Sequence, residues 1–175
     1  MTANRDRTEE QNMELAQRIQ ALEDVEAIKR LKHDYLYFCD SKQPDKVREC
    51  FVAGPVHIDY GEVGVFDNRE ALVEVFTQAA CHDHMVEMHH AQNPRIDLVD
   101  AGSARGVWGL FYHLIDTRRQ LVTQLGACYE DEYRKVDGRW LISSTICRIN
   151  SAYTTQLAGP EAQARVVFAG KPLRS

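Results

Sequence analysis

The sequence predicts one α+β domain, in which a long N-terminal helix and two further helices pack on one face of a curved antiparallel sheet. Two observations support this fold class. Helical periodicities occur early in the chain, and segments rich in Val, Ile, Thr and aromatic residues follow one another late in it. Such an order indicates helices packed on one face of an antiparallel sheet. The 175 residues suit one domain with one core. We therefore expect a hollow between helix and sheet.

The helices are predicted from apolar spacing. Across 15–40, apolar residues recur three or four positions apart, which is typical of a long amphipathic helix. Pro44 suits the first turn of a short second helix, which ends at 54–55. Asp67 or Asn68 can cap a third helix, which reaches about residue 80.

The strands are predicted from alternation and from β-rich composition. Residues 56–60 alternate apolar and polar side chains and form a short first strand. Residues 85–99 form one extended stretch, in which Pro94 marks an edge or a bulge because it lacks a backbone donor. An antiparallel meander follows, with strands at 104–115, 121–133 and 140–151.

Charge and cysteine content restrict the class of partner. The net charge of −5 offers no attraction to phosphate backbones or anionic lipid, so we expect neither nucleic acid nor membrane as a partner. No secretory signal and no long apolar run is recognisable, which favours the cytoplasm. The five cysteines are widely spaced and are predicted to be reduced packing residues.

Three segments are expected along the chain. Residues 1–14 are polar and are predicted to be flexible, 15–158 form the domain, and 159–175 form a C-terminal tail. The tail matches no element clearly. One interpretation is that it covers the mouth of the pocket.

Two adjacent histidines, His89 and His90, lie on one predicted strand. Neighbouring strand residues point to opposite faces, so at most one of the two faces a pocket. A histidine is a natural general base when a carboxylate holds its other ring nitrogen, and Asp40 at the end of the long helix is a candidate. The alternative is a solvated aspartate and a structural histidine. Tyr35 can act as an acid or orient a carbonyl, although it can equally be core.

Arg148 and a histidine pair are further candidates. Arg148 shares a strand face with Ser144, so that an internal face would make it a buried cation that binds a substrate or Asp40, and an external face would leave it in water. His82 and His84 suggest a metal, but no third ligand stands at a recognisable spacing. We predict no metal site there.

The chain resembles SnoaL-like domains of the nuclear transport factor 2-like superfamily from about residue 15 to 150. Among them, the bile-acid 7α-dehydratases, scytalone dehydratase and the hexachlorocyclohexane dehydrochlorinase are most similar. The resemblance rests on segments in the same order, namely 22–32, Tyr35, Asp40, His89, 93–96, 104–108, 129–133 and 137–140.

The resemblance implies an α+β cone, in which the curved sheet wraps around the long N-terminal helix. It also implies a lyase without a cofactor, with a trimer favoured over a dimer. His89 would be the general base, Asp40 would orient it and Tyr35 would engage the substrate. Arg148 falls where the bile-acid enzymes also have an arginine. The chain departs from those enzymes where Tyr112 and its neighbours replace an acidic pair, so that Tyr112 or His113 becomes a candidate acid.

The hypothesis from sequence is therefore a dehydratase-like lyase or an isomerase for a small, mostly apolar ring compound. The predicted substrate-binding residues are Arg148, Trp108, Tyr112, Phe38 and Leu110. Two alternatives remain open. One is a binding or assembly module without turnover, and the other is an epoxide hydrolase or polyketide cyclase with the same pocket.

Overall fold

The computed structural model describes residues 2–157, 159, 162 and 164–169. Its three α-helices are α1 (Thr2–Asp40), α2 (Pro44–Glu49) and α3 (Arg69–Ala79). A short 3-10 turn covers Gly61–Val63. The strands of these described residues are β1 (His57–Asp59), β2 (Val65–Phe66), β3 (Met85–Leu98), β4 (Ser103–Asp116), β5 (Leu121–Val136), β6 (Arg139–Gln156) and β7 (Ala164–Ala169).

One sheet contains all of these strands, in the order β2-β1-β6-β5-β4-β3, with β7 also paired to β6. The antiparallel meander of β3 to β6 confirms the prediction. The sheet is nevertheless mixed, because β1 runs parallel to β6. Alternation predicts which side chains share a face but contains no information on strand direction.

The middle of β3 contains an irregularity next to Pro94. Its pairing with β4 shifts register between Gln92 and Arg95, and Asn93 has a φ of 51°. β3 is also a terminal strand of the sheet order. Pro94 therefore marks both an edge strand and a bulge, as its missing backbone donor predicts.

Helix α1 packs against the sheet through its C-terminal half. Its buried residues recur every three or four positions, which places them on one helix face. They are Asp24, Ile28, Lys32, Tyr35, Leu36 and Cys39. The N-terminal part of the predicted stripe is exposed instead, with Leu15 at 52%, Ile19 at 47% and Leu22 at 68%.

The N-terminal segment differs from expectation. α1 begins at Thr2, whereas the helix predicted from apolar spacing begins at residue 15. Apolar periodicity reports burial, whereas Glu, Gln, Arg and Met favour a helix even where nothing is buried. Apolar spacing therefore did not predict this part of the helix. No helix in the described part of the chain is both long and apolar enough to cross a bilayer.

The hollow is closed by α3, which begins at a side-chain cap. Asn68 accepts a hydrogen bond from the backbone N–H of Ala71 at 2.8 Å, which is the predicted cap. Leu72 and Val73 of α3 are buried in the core. The helix thus lies over the space between α1 and the sheet.

The backbone of the tail forms β7, which pairs antiparallel with residues 151–155 of β6. The sequence did not predict this strand. The idea that the tail covers the pocket mouth concerns 159–175, where the side chains that would form such a cover lie outside the described residues.

Candidate functional site

A cavity of about 290 Å³ lies between α1, α3 and the inner face of the sheet. Apolar and aromatic side chains dominate its wall, as in small-molecule sites. The wall residues used below are Tyr35, Cys39, Tyr60, Glu87, His89, Leu110, Tyr112, Tyr129 and Cys147. This space suits a compact, mostly apolar molecule.

The structure brings Asp40 and His89 together at this wall. The Nδ1 atom of His89 lies 2.6 Å from Oδ1 of Asp40, and the backbone N–H of His89 donates to Oδ2 at 3.1 Å. Since an ionised carboxylate only accepts, Nδ1 bears the hydrogen in the neutral imidazole. The second nitrogen, Nε2, keeps its lone pair.

Local structure explains the placement of this pair. Asp40 is the last residue of α1, where the helix meets the sheet, and it lines an outer groove instead of the cavity. His89 lines the cavity, whereas the next residue, His90, is exposed. The alternation along β3 therefore selects one histidine of the two, as expected.

Tyr35 lies on the cavity wall and forms a pair with Tyr60. The two hydroxyl oxygens are 2.7 Å apart. Burial raises the pKa of each tyrosine well above its usual range, so both remain neutral. Sequence reasoning did not select Tyr60 as a site residue, although it shared the predicted inward face of 56–60.

Glu87 is a second residue that sequence reasoning missed. It lies two positions before His89 on the same face of β3, and its side chain is 6% exposed. It accepts a hydrogen bond from the Tyr112 hydroxyl at 2.6 Å and another from the Lys42 ammonium. The signal was the i, i+2 spacing to His89, which places both side chains on one strand face.

The predicted apolar walls are only partly correct. Leu110 and Tyr112 line the cavity. Trp108 does not, since it is fully buried elsewhere in the core and donates to the Tyr133 hydroxyl at 2.9 Å. Phe38 is also absent from the wall and packs beneath the Lys46 ammonium, 5.2 Å from the ring centroid. Both positions were predicted from apolar character, which does not distinguish core from cavity.

Arg148 lies on the outer face of the sheet and not at the cavity wall, which is the external alternative of the sequence analysis. Its side chain is 60% exposed, and its Nε atom is 3.1 Å from Oε1 of Glu130. The adjacent residues Cys147 and Ile149 face the cavity instead. Hydration and an ion pair satisfy the guanidinium without burial.

The remaining candidates are the pair of His82 and His84 and the cysteines. No group of three potential metal ligands occurs in the part of the chain that the structure describes. His82 and His84 stack on each other with ring centroids 5.3 Å apart. Cys39 and Cys147 line the cavity, and burial raises the pKa of the Cys147 thiol to about 11, which keeps it neutral.

The fold and the site together define an α+β cone protein with a small apolar cavity and a histidine–aspartate pair at its wall. The chain belongs to the SnoaL-like domain family, whose model matches residues 20–146, and thereby to the nuclear transport factor 2-like superfamily. The resemblance seen in the sequence is thus confirmed at the level of the family.

Solved structures share this fold at low identity. A protein of Novosphingobium aromaticivorans provisionally assigned as a scytalone dehydratase has a TM-score of 0.71 and 22% identity, over 89% of this chain and 98% of its own. A hexachlorocyclohexane dehydrochlorinase of Novosphingobium barchaimii has a TM-score of 0.69 and 22% identity, over 81% and 94%. Identities this low establish the common fold, and the fold hosts more than one reaction.

Proposed function

We propose that this chain is a lyase or isomerase, acting without a cofactor on a small, mostly apolar ring compound. The observation that carries the proposal is the 2.6 Å contact between His89 Nδ1 and Asp40 Oδ1 at the cavity wall. His89 is the general base, and Asp40 orients it and stabilises the imidazolium that forms. A dehydratase reaction suits this set of groups, and two of the structural relatives have names from elimination chemistry.

The base needs its lone pair on the cavity side. The Asp40 carboxylate occupies Nδ1 and lies outside the cavity wall, which leaves Nε2 of His89 for the ligand. Proton removal from a ring carbon then breaks one C–H bond and leaves its electron pair on the ring. That pair forms the C=C double bond as a hydroxyl on the neighbouring carbon departs with the electrons of its C–O bond. The hydroxyl takes up the proton that His89 has accepted and leaves as water, which restores the neutral imidazole.

The tyrosine pair provides the complementary donor. Tyr35 and Tyr60 have two hydroxyl hydrogens between them, and one is used in their mutual hydrogen bond. In this proposal the other turns from the neighbouring Thr145 hydroxyl or Cys39 thiol to an oxygen of the substrate, where negative charge develops when the proton is removed. In this proposal Tyr35 and Tyr60 therefore stabilise the reacting oxygen while His89 acts on the carbon.

Three substitutions test the proposal on a substrate found by screening ring alcohols and related halides. His89→Ala removes the base and Asp40→Asn removes its orientation, so kcat/KM should fall about 10²- to 10⁴-fold in each. His90→Ala is the matched control, because that histidine is exposed on the outer face. Product formation is followed by mass spectrometry.

Full turnover by both His89→Ala and Asp40→Asn on such a substrate would refute general-base catalysis by this pair. Ligand binding without turnover across the screened panel would favour a binding module instead. Water addition to an epoxide, or ring closure of a polyketide, would keep the same base and change the reaction.

A further inference from the structure

The cavity wall beside His89 has a second polar group, the hydroxyl of Tyr112. The two residues are cross-strand partners on β3 and β4, and their ring centroids lie 4.6 Å apart. A ligand that reaches Nε2 of His89 therefore also contacts the Tyr112 side of the wall. Hydrogen-bond direction at this hydroxyl decides which ligands fit there.

The hydroxyl hydrogen of Tyr112 is already used. It is donated to Oε2 of Glu87 at 2.6 Å. The Lys42 ammonium donates to the other carboxylate oxygen of Glu87. A carboxylate has no hydrogen to return, so the direction of the Tyr112 hydrogen bond is fixed.

The surroundings reinforce this direction. The Glu87 side chain is 6% exposed and that of Lys42 is 22% exposed, so water competes little for the carboxylate. Burial, and then the negative charge of Glu87, raise the pKa of Tyr112, which keeps the hydroxyl protonated. A tyrosine hydroxyl has one hydrogen, so only its oxygen lone pairs remain for the cavity.

Two neighbouring groups on this wall are thus acceptors. Nε2 of His89 accepts because Nδ1 donates to Asp40, and the Tyr112 oxygen accepts because its hydrogen goes to Glu87. In the proposed function, the pair of Tyr35 and Tyr60 donates one hydrogen to the ligand. An ether oxygen, a halogen or a carbonyl placed against Tyr112 would meet lone pairs and remain unsatisfied.

We infer that Tyr112, held by Glu87 and Lys42, is a specificity-determining residue that selects ligands bearing a hydroxyl or N–H donor next to the carbon that faces His89. The inference rests on the proposed function only in placing the ligand beside His89. It also removes Tyr112 from the candidate acids, because a hydroxyl with its hydrogen committed to a carboxylate does not protonate a leaving group. The selected hydroxyl positions the ring.

Equilibrium binding of two matched probes, β-naphthol and its methyl ether, tests the inference by calorimetry on the full chain. The two rings are identical, and only the alcohol has a hydrogen to donate. The alcohol should bind the unsubstituted protein about tenfold more tightly, the value of one well-placed hydrogen bond in a site shielded from water. Tyr112→Phe should reduce this preference to about twofold or less.

Glu87→Gln provides a sharper variant because it should remove the preference while keeping the tyrosine. Lys42 can only donate, so it holds the carbonyl oxygen of the new amide and leaves the NH₂ group directed at Tyr112. The Tyr112 hydroxyl then has its hydrogen free for the cavity, and the methyl ether should gain relative to the alcohol. Tyr37→Phe is the control, since this tyrosine is 63% exposed on α1.

Equal binding of the two probes by the unsubstituted protein would overturn the inference, as would a preference unchanged in both Tyr112→Phe and Glu87→Gln. The proposed function can be refuted without refuting this inference. His89→Ala should lose turnover and keep the alcohol preference, so retained turnover in that variant would refute the base and leave the donor selectivity intact.

Discussion

The ammonium group of Lys32 is fully buried. Its Nζ atom lies 2.8 Å from Oδ2 of Asp131 and 3.5 Å from the ring centroid of Tyr129, although the approach to the carboxylate is not aligned as a hydrogen bond. Asp131 also accepts from Tyr133 at 2.7 Å and from Thr145 at 2.6 Å. A buried charge of this kind is tolerated only while its partner is present.

Lys32→Met should therefore lower the free energy of unfolding by about 3–5 kcal/mol, since it leaves the Asp131 carboxylate buried without a cation. Urea-induced unfolding measures the effect. Lys32→Met combined with Asp131→Asn should recover part of the loss, because the uncompensated charge is then removed.

Lys29→Met is the matched control for Lys32. Lys29 pairs with Glu26 at 2.6 Å near the surface, where such a pair contributes about 0–1 kcal/mol. If Lys32→Met cost no more than Lys29→Met, the buried ion pair would have no role in stability.

Single residues also show what the sequence could and could not provide for the site. The alternation of His89 and His90 predicted that one histidine faces the interior, and Asp40 was a candidate from its place at the end of the long helix, to which the family resemblance added support. The 2.6 Å contact joins residues 49 positions apart, a distance in sequence over which no periodicity acts. Glu87 was overlooked because a lone glutamate on a strand usually belongs to a solvated face.

At the scale of elements, long periodic segments were predictable and strand faces were not. The helix over 15–40 and the meander of β3 to β6 follow from spacing and composition. Alternation correctly placed Arg148 on the strand face opposite to Cys147 and Ile149. The local sequence does not indicate which of these two faces points inward. Register shifts between β5 and β6, such as that at Gly126 and Ala127, further separate sequence spacing from face.

The sequence missed the start of α1, the strand β7 and the parallel direction of β1. Residues 2–14 of α1 form a helix without an apolar stripe, and β7 pairs with only five positions of β6. Parallel pairing of β1 with β6 depends on the path of the chain through α2, which composition does not encode. The pairings of β1 and β7 follow from tertiary packing, whereas the start of α1 follows from local helix preference.

For the whole molecule, self-association stays a prediction, with a trimer favoured. The outward face of the sheet exposes Val86 at 53%, Met88 at 52% and Phe111 at 41%. Neighbouring exposed apolar side chains indicate a contact surface. Light scattering should give about three times the chain mass of 20.0 kDa, and Met88→Glu should lower it.

Val99→Glu is the control for that surface, since Val99 is exposed at 61% in the turn between β3 and β4. It should leave the mass unchanged. A monomeric mass for the unsubstituted chain at micromolar concentration would contradict the prediction.

Asp40 at the end of α1 binds Nδ1 of His89 on the edge strand β3. This leaves Nε2 of His89 for a ligand in the cavity. The most direct test of its role as a base is the position of the hydrogen on its neutral imidazole, read by nitrogen NMR and assigned with His89→Gln. The predicted result is a hydrogen on Nδ1 and a lone pair on Nε2, with this bias weakened in Asp40→Asn. A hydrogen on Nε2 in the unsubstituted protein would contradict proton abstraction by His89, because the nitrogen facing the cavity would then have no lone pair to accept a proton.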